Sequence, residues 1–403
     1  MTAILPFFCI FHLIPLIYAE NDLELVLVQA LWRHGDRAPQ YPFENDKITD
    51  KDWRQIGSGI GELTNEGFKQ QFELGKAIKN RYIDSKFLSE NFDETEIKFR
   101  STNRNRTIMS AKANFLGMFE KSIISKSNVK FPIFVPENYA LDCVNNVICE
   151  CPRREKLQKL ARNLREVQDL EQDPETTKLF NVLHKSTSEK IDIENFWRFP
   201  DTLRCEKRHF PQLLVKNNAW YSEELLEKLE DLNTKINKFT SGLYSTMMAS
   251  PAHKHQSIDI SKEIVKLRSG PLVSEIFGRI ERKLDGKALR DLKYCAYSSH
   301  DMTLNAFLIA MGLQNVTSSE IGGWPPYASA VFVELFVRRT DRKPFFKIVY
   351  RTPATSEFEN LTSQIPKCNG KSICELEIFQ EIYEDLKIDM PVEKYCQVTS
   401  DLE

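Results

Sequence analysis

Apolar residues dominate the stretch from Leu23 to Trp32, broken only by Glu24 and Gln29. A run with so little alternation predicts a strand buried on both faces, as in a parallel sheet. It stops at Arg33-His34-Gly35-Asp36-Arg37-Ala38-Pro39. Behind Thr64, a suitable N-cap, Phe68, Phe72, Gly75, Ile78 and Tyr82 recur at helical spacing. A second predicted strand ends at Arg100, where Ser101 or Thr102 caps a helix with Ile108, Ala111, Phe115 and Met118 on one face. A third, Leu292 to Tyr297, ends at Ser298-Ser299-His300-Asp301 and leads into a helix through Leu308. Ala330 to Phe336 and Phe346 to Tyr350 read as late strands that finish the sheet. Strands alternating with helices predict an α/β fold with a mostly parallel central sheet.

Between residues 136 and 256 the pattern changes. Charged helical stretches, Arg153 to Glu171 and Ser222 to Lys238, are separated by irregular segments such as Phe196-Trp197-Arg198-Phe199-Pro200. This predicts a helical cap inserted into an α/β core made of residues 20–135 and 257–403, forming one wall of a cleft. Residues 1–19 are apolar up to Ala19 and give way sharply to Glu20-Asn21-Asp22. They read as a secretory signal cleaved after Ala19, with a retained anchor as the competing reading. No other long apolar run occurs, so no membrane span is expected in the mature chain.

With 55 basic and 57 acidic residues the 403-residue chain has a net charge of -2. That balance argues against nucleic acid as a partner and leaves anion selectivity to a local cluster. Of nine cysteines, Cys9 lies in the predicted signal. The even remainder in a secretory context reads as disulfides rather than as a metal site. A zinc site at Cys143, Cys149 and Cys151 lacks the usual spacing, and no metal or other cofactor is expected. Asn105, Asn315 and Asn360 head glycosylation sequons.

The chemistry concentrates at strand ends. Guanidinium groups bind phosphate oxygens in a bidentate manner, and open α/β sheets place ligands at the carboxyl ends of their strands. A histidine between Arg33 and Arg37 is therefore suited to phosphate. Helices begin just beyond each predicted strand, where their amide dipoles favour an anion.

The heptad Arg33 to Pro39 resembles the signature of the histidine acid phosphatases, and Ser298-Ser299-His300-Asp301 resembles their second signature. Ile97 to Thr102 resembles the segment that supplies the family's third arginine and Leu63 to Gly67 its first helix, while Cys151-Pro152-Arg153, Asp201-Thr202-Leu203, Ser269 to Val273 and Pro325 to Ser329 are similar to segments of the animal prostatic and lysosomal branch. The resemblance implies a phosphoglycerate-mutase-like α/β sandwich and hydrolysis of phosphate monoesters, on small molecules or proteins, through a phosphohistidine in acidic solution. It implies His34 as nucleophile, Asp301 as proton donor, and Arg33, Arg37, Arg100 and His300 as the phosphate cradle. It pairs Cys151 with Cys396 and Cys368 with Cys374. The family partner position of Cys205 is Ala330 here, so Cys295 is the substitute, and Cys143 with Cys149 follow by elimination. The secreted space or the lysosomal lumen is the expected location, and a homodimer is left open. Two alternatives carry different activities: a phytase or inositol-phosphate phosphatase, and a secreted protein that only binds phosphorylated ligands. The second would be expected to lose the nucleophile or the donor, and both are present.

Overall fold

The computed structural model describes residues 22–124, 131–243, 254–255, 258–318, 323–355 and 357–402; the predicted signal lies outside them. One sheet organises the chain, built from β1 (Leu23–Arg33), β2 (Ile97–Ser101), β3 (Ile133–Phe134), β4 (Tyr294–Ser299), β5 (Ala330–Arg338), β6 (Pro344–Arg351), β7 (Glu359–Asn360) and β8 (Cys374–Glu375). Its order is β8-β6-β5-β1-β4-β2-β3, with β7 also paired to β6. The half containing β1, β4, β2 and β3 is parallel. From β5 onward the pairings are antiparallel. The site-bearing strands all belong to the parallel half.

The near-continuous apolar run of β1 follows from helices on both faces. Val28, Ala30 and Trp32 point to one side, where they pack with Leu74 and Ile78 of α1 (Asn65–Ile78) and Phe115 and Met118 of α2 (Asn105–Ile124). Leu27 and Leu31 point to the other, against α6 (Ile260–Leu284), α7 (Asp301–Ala310) and α8 (Leu376–Leu386). Gln29 shares that second face and is satisfied there: its Nε2 donates to the Ile276 carbonyl at 2.9 Å, and its Oε1 accepts from Arg279 at 2.9 Å.

The helices of the central segment, including α3 (Pro152–Arg162), α4 (Arg198–His209) and α5 (Glu223–Thr240), gather around a separate apolar core with Leu157, Phe199 and Leu229. That core also draws on Ile260, Ile264, Leu267 and Cys396. The helical layer is thus anchored on residues outside 136–256. Cys151–Cys396 fastens the start of α3 to the chain end, and Cys143–Cys149 and Cys368–Cys374 close short loops.

The expected Cys205–Cys295 bond does not form; both are free and buried. Cys205 packs with Ala38, Ile48 and Trp53 beyond the strand ends, whereas Cys295 faces the α6 side of the sheet from within β4. Two thiols in separate clusters cannot meet. Burial pushes Cys205 up to about 12 and Cys295 to about 11, so both stay protonated.

The buried Glu206 of α4 meets the half-buried Asp46 of the loop after the heptad. Burial first, and then a hydrogen bond with Asp46, pushes the Glu206 carboxyl up to about 10. Glu206 therefore keeps a proton that it shares with Asp46, whose Oδ1 also accepts from the Ile48 amide at 2.9 Å. A carboxyl raised on folding binds more protons folded than unfolded, so stability falls as pH rises above its unfolded value of about 4.3. Glu206→Gln keeps a donor and removes the titration. Its Tm relative to the parent should climb steadily from about pH 4.5 to 8, and parallel curves in a thermal melt series would contradict a shared proton.

Candidate active site

Parallel pairing brings three strand ends together. Arg33 is in register with Ser299 across β1 and β4, and Ser101 with Ser298 across β2 and β4. The loops that follow must then converge at the carboxyl edge. The His34 amide donates to the Ser299 carbonyl at 3.0 Å, which fixes the heptad on the second motif. Close backbone approach explains the glycines: a Cβ on Gly67 would lie 2.0 Å from the Asp36 carbonyl oxygen, and one on Gly35 2.1 Å from that of Gly67. Only glycines let the start of α1 press this near the heptad.

His34 is 2% exposed, and its Nδ1 lies 2.8 Å from the Gly35 carbonyl. A carbonyl only accepts, so Nδ1 carries the proton and Nε2 keeps its lone pair. Burial, followed by the guanidinium groups of Arg106, Arg33 and Arg37, holds the imidazole well below its ordinary value. The ring thus stays neutral in acidic solution. His300, with its ring centroid 5.6 Å away, is lowered in the same way by burial and then by Arg106 and Arg104.

His300 is oriented by a chain of hydroxyls. Its Nε2 lies 3.0 Å from Thr102 Oγ1, which lies 2.8 Å from Thr107 Oγ1. Thr107 donates to the carbonyls of Arg104 and Thr102, at 2.8 and 3.0 Å. With its one proton used there, Thr107 accepts from Thr102, and Thr102 in turn accepts from His300 Nε2–H. The Nδ1 edge is left for a ligand.

The arginines are held by partners that leave part of each fork available. Arg33 donates to the Pro325 carbonyl at 2.7 Å and meets Asp301 Oδ2 at 2.9 Å, with its guanidinium 3.9 Å from the centre of the Tyr327 ring. Arg37 forms a two-pronged pair with Asp201, both bonds 3.0 Å. Arg106 makes only neutral contacts, to Gln40 Oε1 at 3.1 Å and the Gly61 carbonyl at 3.4 Å. Burial and then the neighbouring Arg37 push it down to about 10. A half-buried cation with no carboxylate partner among the described residues is ready for an anion.

The expected third arginine needs correction. Arg100 does not line the cleft; its Nη2 pairs with the buried Asp142 at 2.6 Å, and its guanidinium sits 5.2 Å from the Phe134 ring centre. Arg104 and Arg106 line the cleft instead. Arg100 is still inside β2, so its side chain leaves from a sheet face, whereas the next loop and helix start reach the strand end. The heptad carries the same signal: Arg37 also lies beyond its strand. The sequence marks Thr102 only as a helix cap and Asp201 only within a family-like segment, and it gives no signal for Thr107 or Arg104.

Asp301 opens α7, and its Oδ1 accepts from the Met302 amide at 2.7 Å while Oδ2 meets Arg33. It lines the same cleft as His34, Arg33, Arg37 and His300. The remaining heptad acid, Asp36, is structural. Against the cost of burial, hydrogen bonds from His209 (2.6 Å) and Thr64 (2.6 Å) hold its carboxyl below the usual range. Arg208 reaches the same carboxylate at 3.0 Å. Lys207 turns away to Glu223, and Trp197 lines the cleft. Asn105, Asn315 and Asn360 are all exposed.

The family model of the histidine phosphatase superfamily (branch 2) matches residues 24–351. The Caenorhabditis elegans protein named "Putative acid phosphatase 10" is 34% identical over 410 residues, covering 94% of this chain and 96% of that protein. Lysosomal acid phosphatase of Homo sapiens is 30% identical over 317 residues, covering 77% of this chain and 67% of its own. Among solved structures, Hafnia alvei phytase in complex with myo-inositol hexakis sulphate superposes with a TM-score of 0.62 at 14% identity, over 94% of this chain and 100% of that one. The phosphate-shaped arrangement at the strand ends thus has its counterpart in a whole-length match, and the chain belongs to branch 2 of the histidine phosphatase superfamily.

Proposed function

We propose that the chain is an acid phosphatase that hydrolyses phosphate monoesters through a phosphohistidine on His34. The observation that carries this reading is the His34–Gly35 hydrogen bond, which leaves Nε2 unprotonated among Arg33, Arg37 and Arg106. The acid phosphatase relatives stand near 30% identity, against 13–14% for the phytase structures, which favours a broad phosphomonoesterase over a phytase. Secretory-pathway residence accords with the three disulfides and the lysosomal relatives. Among the described residues no helix is long and apolar enough to cross a membrane.

In the first step the Nε2 lone pair attacks phosphorus, the ester P–O bond breaks, and protonated Asp301 gives its proton to the departing oxygen. Arg33, Arg37 and Arg106 meet the charge on the equatorial oxygens, and His300 joins them as a donor when the bound phosphoryl dianion brings a proton to its Nδ1. In the second step the Asp301 carboxylate takes a proton from water, the water oxygen attacks phosphorus, and the P–N bond breaks to release phosphate. Residues 136–256 are taken as the cap that bounds the leaving-group side.

Two arginine variants separate this cradle from the one expected from the sequence. Arg106→Ala should lower kcat for phenyl phosphate by about 10²- to 10³-fold, the usual loss for a pre-organised charge donor. Arg100→Ala should lower it by less than about tenfold and act mainly on Tm, because it leaves Asp142 buried and unpaired. Initial rates at acidic pH with a metal chelator present test both, and the reverse ranking would remove Arg106 from the cradle.

A further inference from the structure

The reaction uses one end of a cleft of about 640 Å³. Eight arginines and four acidic residues line it, in a chain whose net charge is -2. At the reacting end Arg33 and Arg37 are held by Asp301 and Asp201. Another wall is one face of α3, where Arg154, Gln158 and Arg162 follow at four-residue spacing and so stand in line. Arg162 is paired with Glu194 at 2.6 Å. Arg154 differs: it is 7% exposed and donates Nη1 to the Val147 carbonyl at 2.8 Å.

Burial pushes Arg154 down, with only its chain neighbour Glu155 acting the other way. The rest of its fork has no ion-pair partner among the described residues. A guanidinium withdrawn from water and facing a cavity favours an anion. Its position suits a leaving group, because Val147 lies two residues beyond Asn145, which is bound to the second motif. Asn145 Nδ2 donates to the Ser298 carbonyl at 3.1 Å, and its own carbonyl accepts from Ser299 and Thr303 at 3.0 and 3.1 Å. Trp197 and Ile236 give the same cleft apolar wall.

We propose that Arg154, with Gln158 and Arg162, forms a second anion subsite, so that preferred substrates are phosphate monoesters whose leaving group carries a second anionic group on an apolar framework. The inference rests on the phosphatase reading for the position of the first phosphoryl group. The second group is a carboxylate or a phosphoryl group.

The test is calorimetric binding of arylphosphonates to the oxidised full chain at about pH 5.5, above the ordinary carboxyl range. Each probe carries a carboxylate or the matching carboxamide, directly on the ring or on a two-carbon arm. The carboxylate should bind about tenfold tighter than its amide at one arm length or both, and Arg154→Met should bring that ratio to about one. If Arg154→Met does not fold, Gln158→Glu carries the test, since an added negative charge should lower the ratio several-fold. A ratio near one in the parent at both lengths, or a ratio unchanged in the variants, overturns the subsite. Benzene-1,4-diphosphonate tells the two anions apart: tighter binding than the carboxylate assigns a phosphoryl occupant, and weaker binding assigns a carboxylate. Failure of the phosphatase reading looks different, as absent turnover of phenyl phosphate with the binding preference intact.

Discussion

His34→Ala should lower kcat for phenyl phosphate by at least about 10⁴-fold, on the scale seen when a covalent nucleophile is removed. Nothing nearby can replace it. His300 is the other imidazole facing the cleft, but its Nε2 is committed to Thr102 and its ring lies at the end of a different strand. The loss should fall on kcat rather than on phosphate binding, because Arg33, Arg37 and Arg106 stay in place and lose no partner. Phosphate should even stabilise the variant, by compensating three crowded cations. Steady-state rates and a phosphate-dependent Tm shift, measured on one preparation, separate loss of chemistry from loss of fold. Activity within about tenfold of the parent would exclude His34 as nucleophile.

Asp301→Asn should divide substrates by the basicity of what leaves. For an alkyl phosphate the departing alkoxide needs a proton, and kcat/KM should drop by about 10²- to 10⁴-fold. For 2,4-dinitrophenyl phosphate the leaving group departs as a stable anion, and kcat/KM should drop by less than about tenfold. Asparagine has one oxygen for the two contacts that Asp301 makes, to Arg33 at 2.9 Å and to the Met302 amide at 2.7 Å, so it keeps one of them, and a shift of Arg33 would slow both esters alike. The contrast between esters therefore reports proton transfer, not misplacement of the arginine. Equal losses for both esters would mean that Asp301 serves another purpose.

What could be seen in the chain before the structure was whatever a local pattern writes. The ten-residue apolar approach to Arg33 and the strand end at Ser298 are legible because burial on both faces erases alternation, and the strand through Arg100 because Ile97 and Phe99 are buried on either side of an exposed Lys98. The order of strands adds that these edges meet, which places His34, His300 and Asp301 together. Arg106 stays hidden because the resemblance of Ile97 to Thr102 assigns the third arginine to Arg100, whereas the side chain that reaches the cleft stands on the helix start beyond the strand. Asp201 shows in the sequence as part of a family-like segment, but its partner does not: it meets Arg37 across 164 residues of chain, and no periodicity signals such a pair. Cys205 and Cys295 illustrate the limit of counting, since an even number of cysteines leaves their clusters unspecified. The proton shared by Glu206 and Asp46 depends on burial that neither residue type announces.

The central claim is a covalent bond from phosphorus to one particular nitrogen. Rapid mixing with 2,4-dinitrophenyl phosphate, quenching in base, where phosphohistidine persists, and peptide mapping read it directly. Using Asp301→Asn slows the second step, since the carboxylate that activates water is gone, and lets the intermediate accumulate. The account predicts phosphate on His34 at Nε2, because Nδ1 is committed to the Gly35 carbonyl. Phosphate on any other residue, on Nδ1 of His34, or turnover with no phosphoenzyme at all in a quench that retains a phosphohistidine standard, would contradict it.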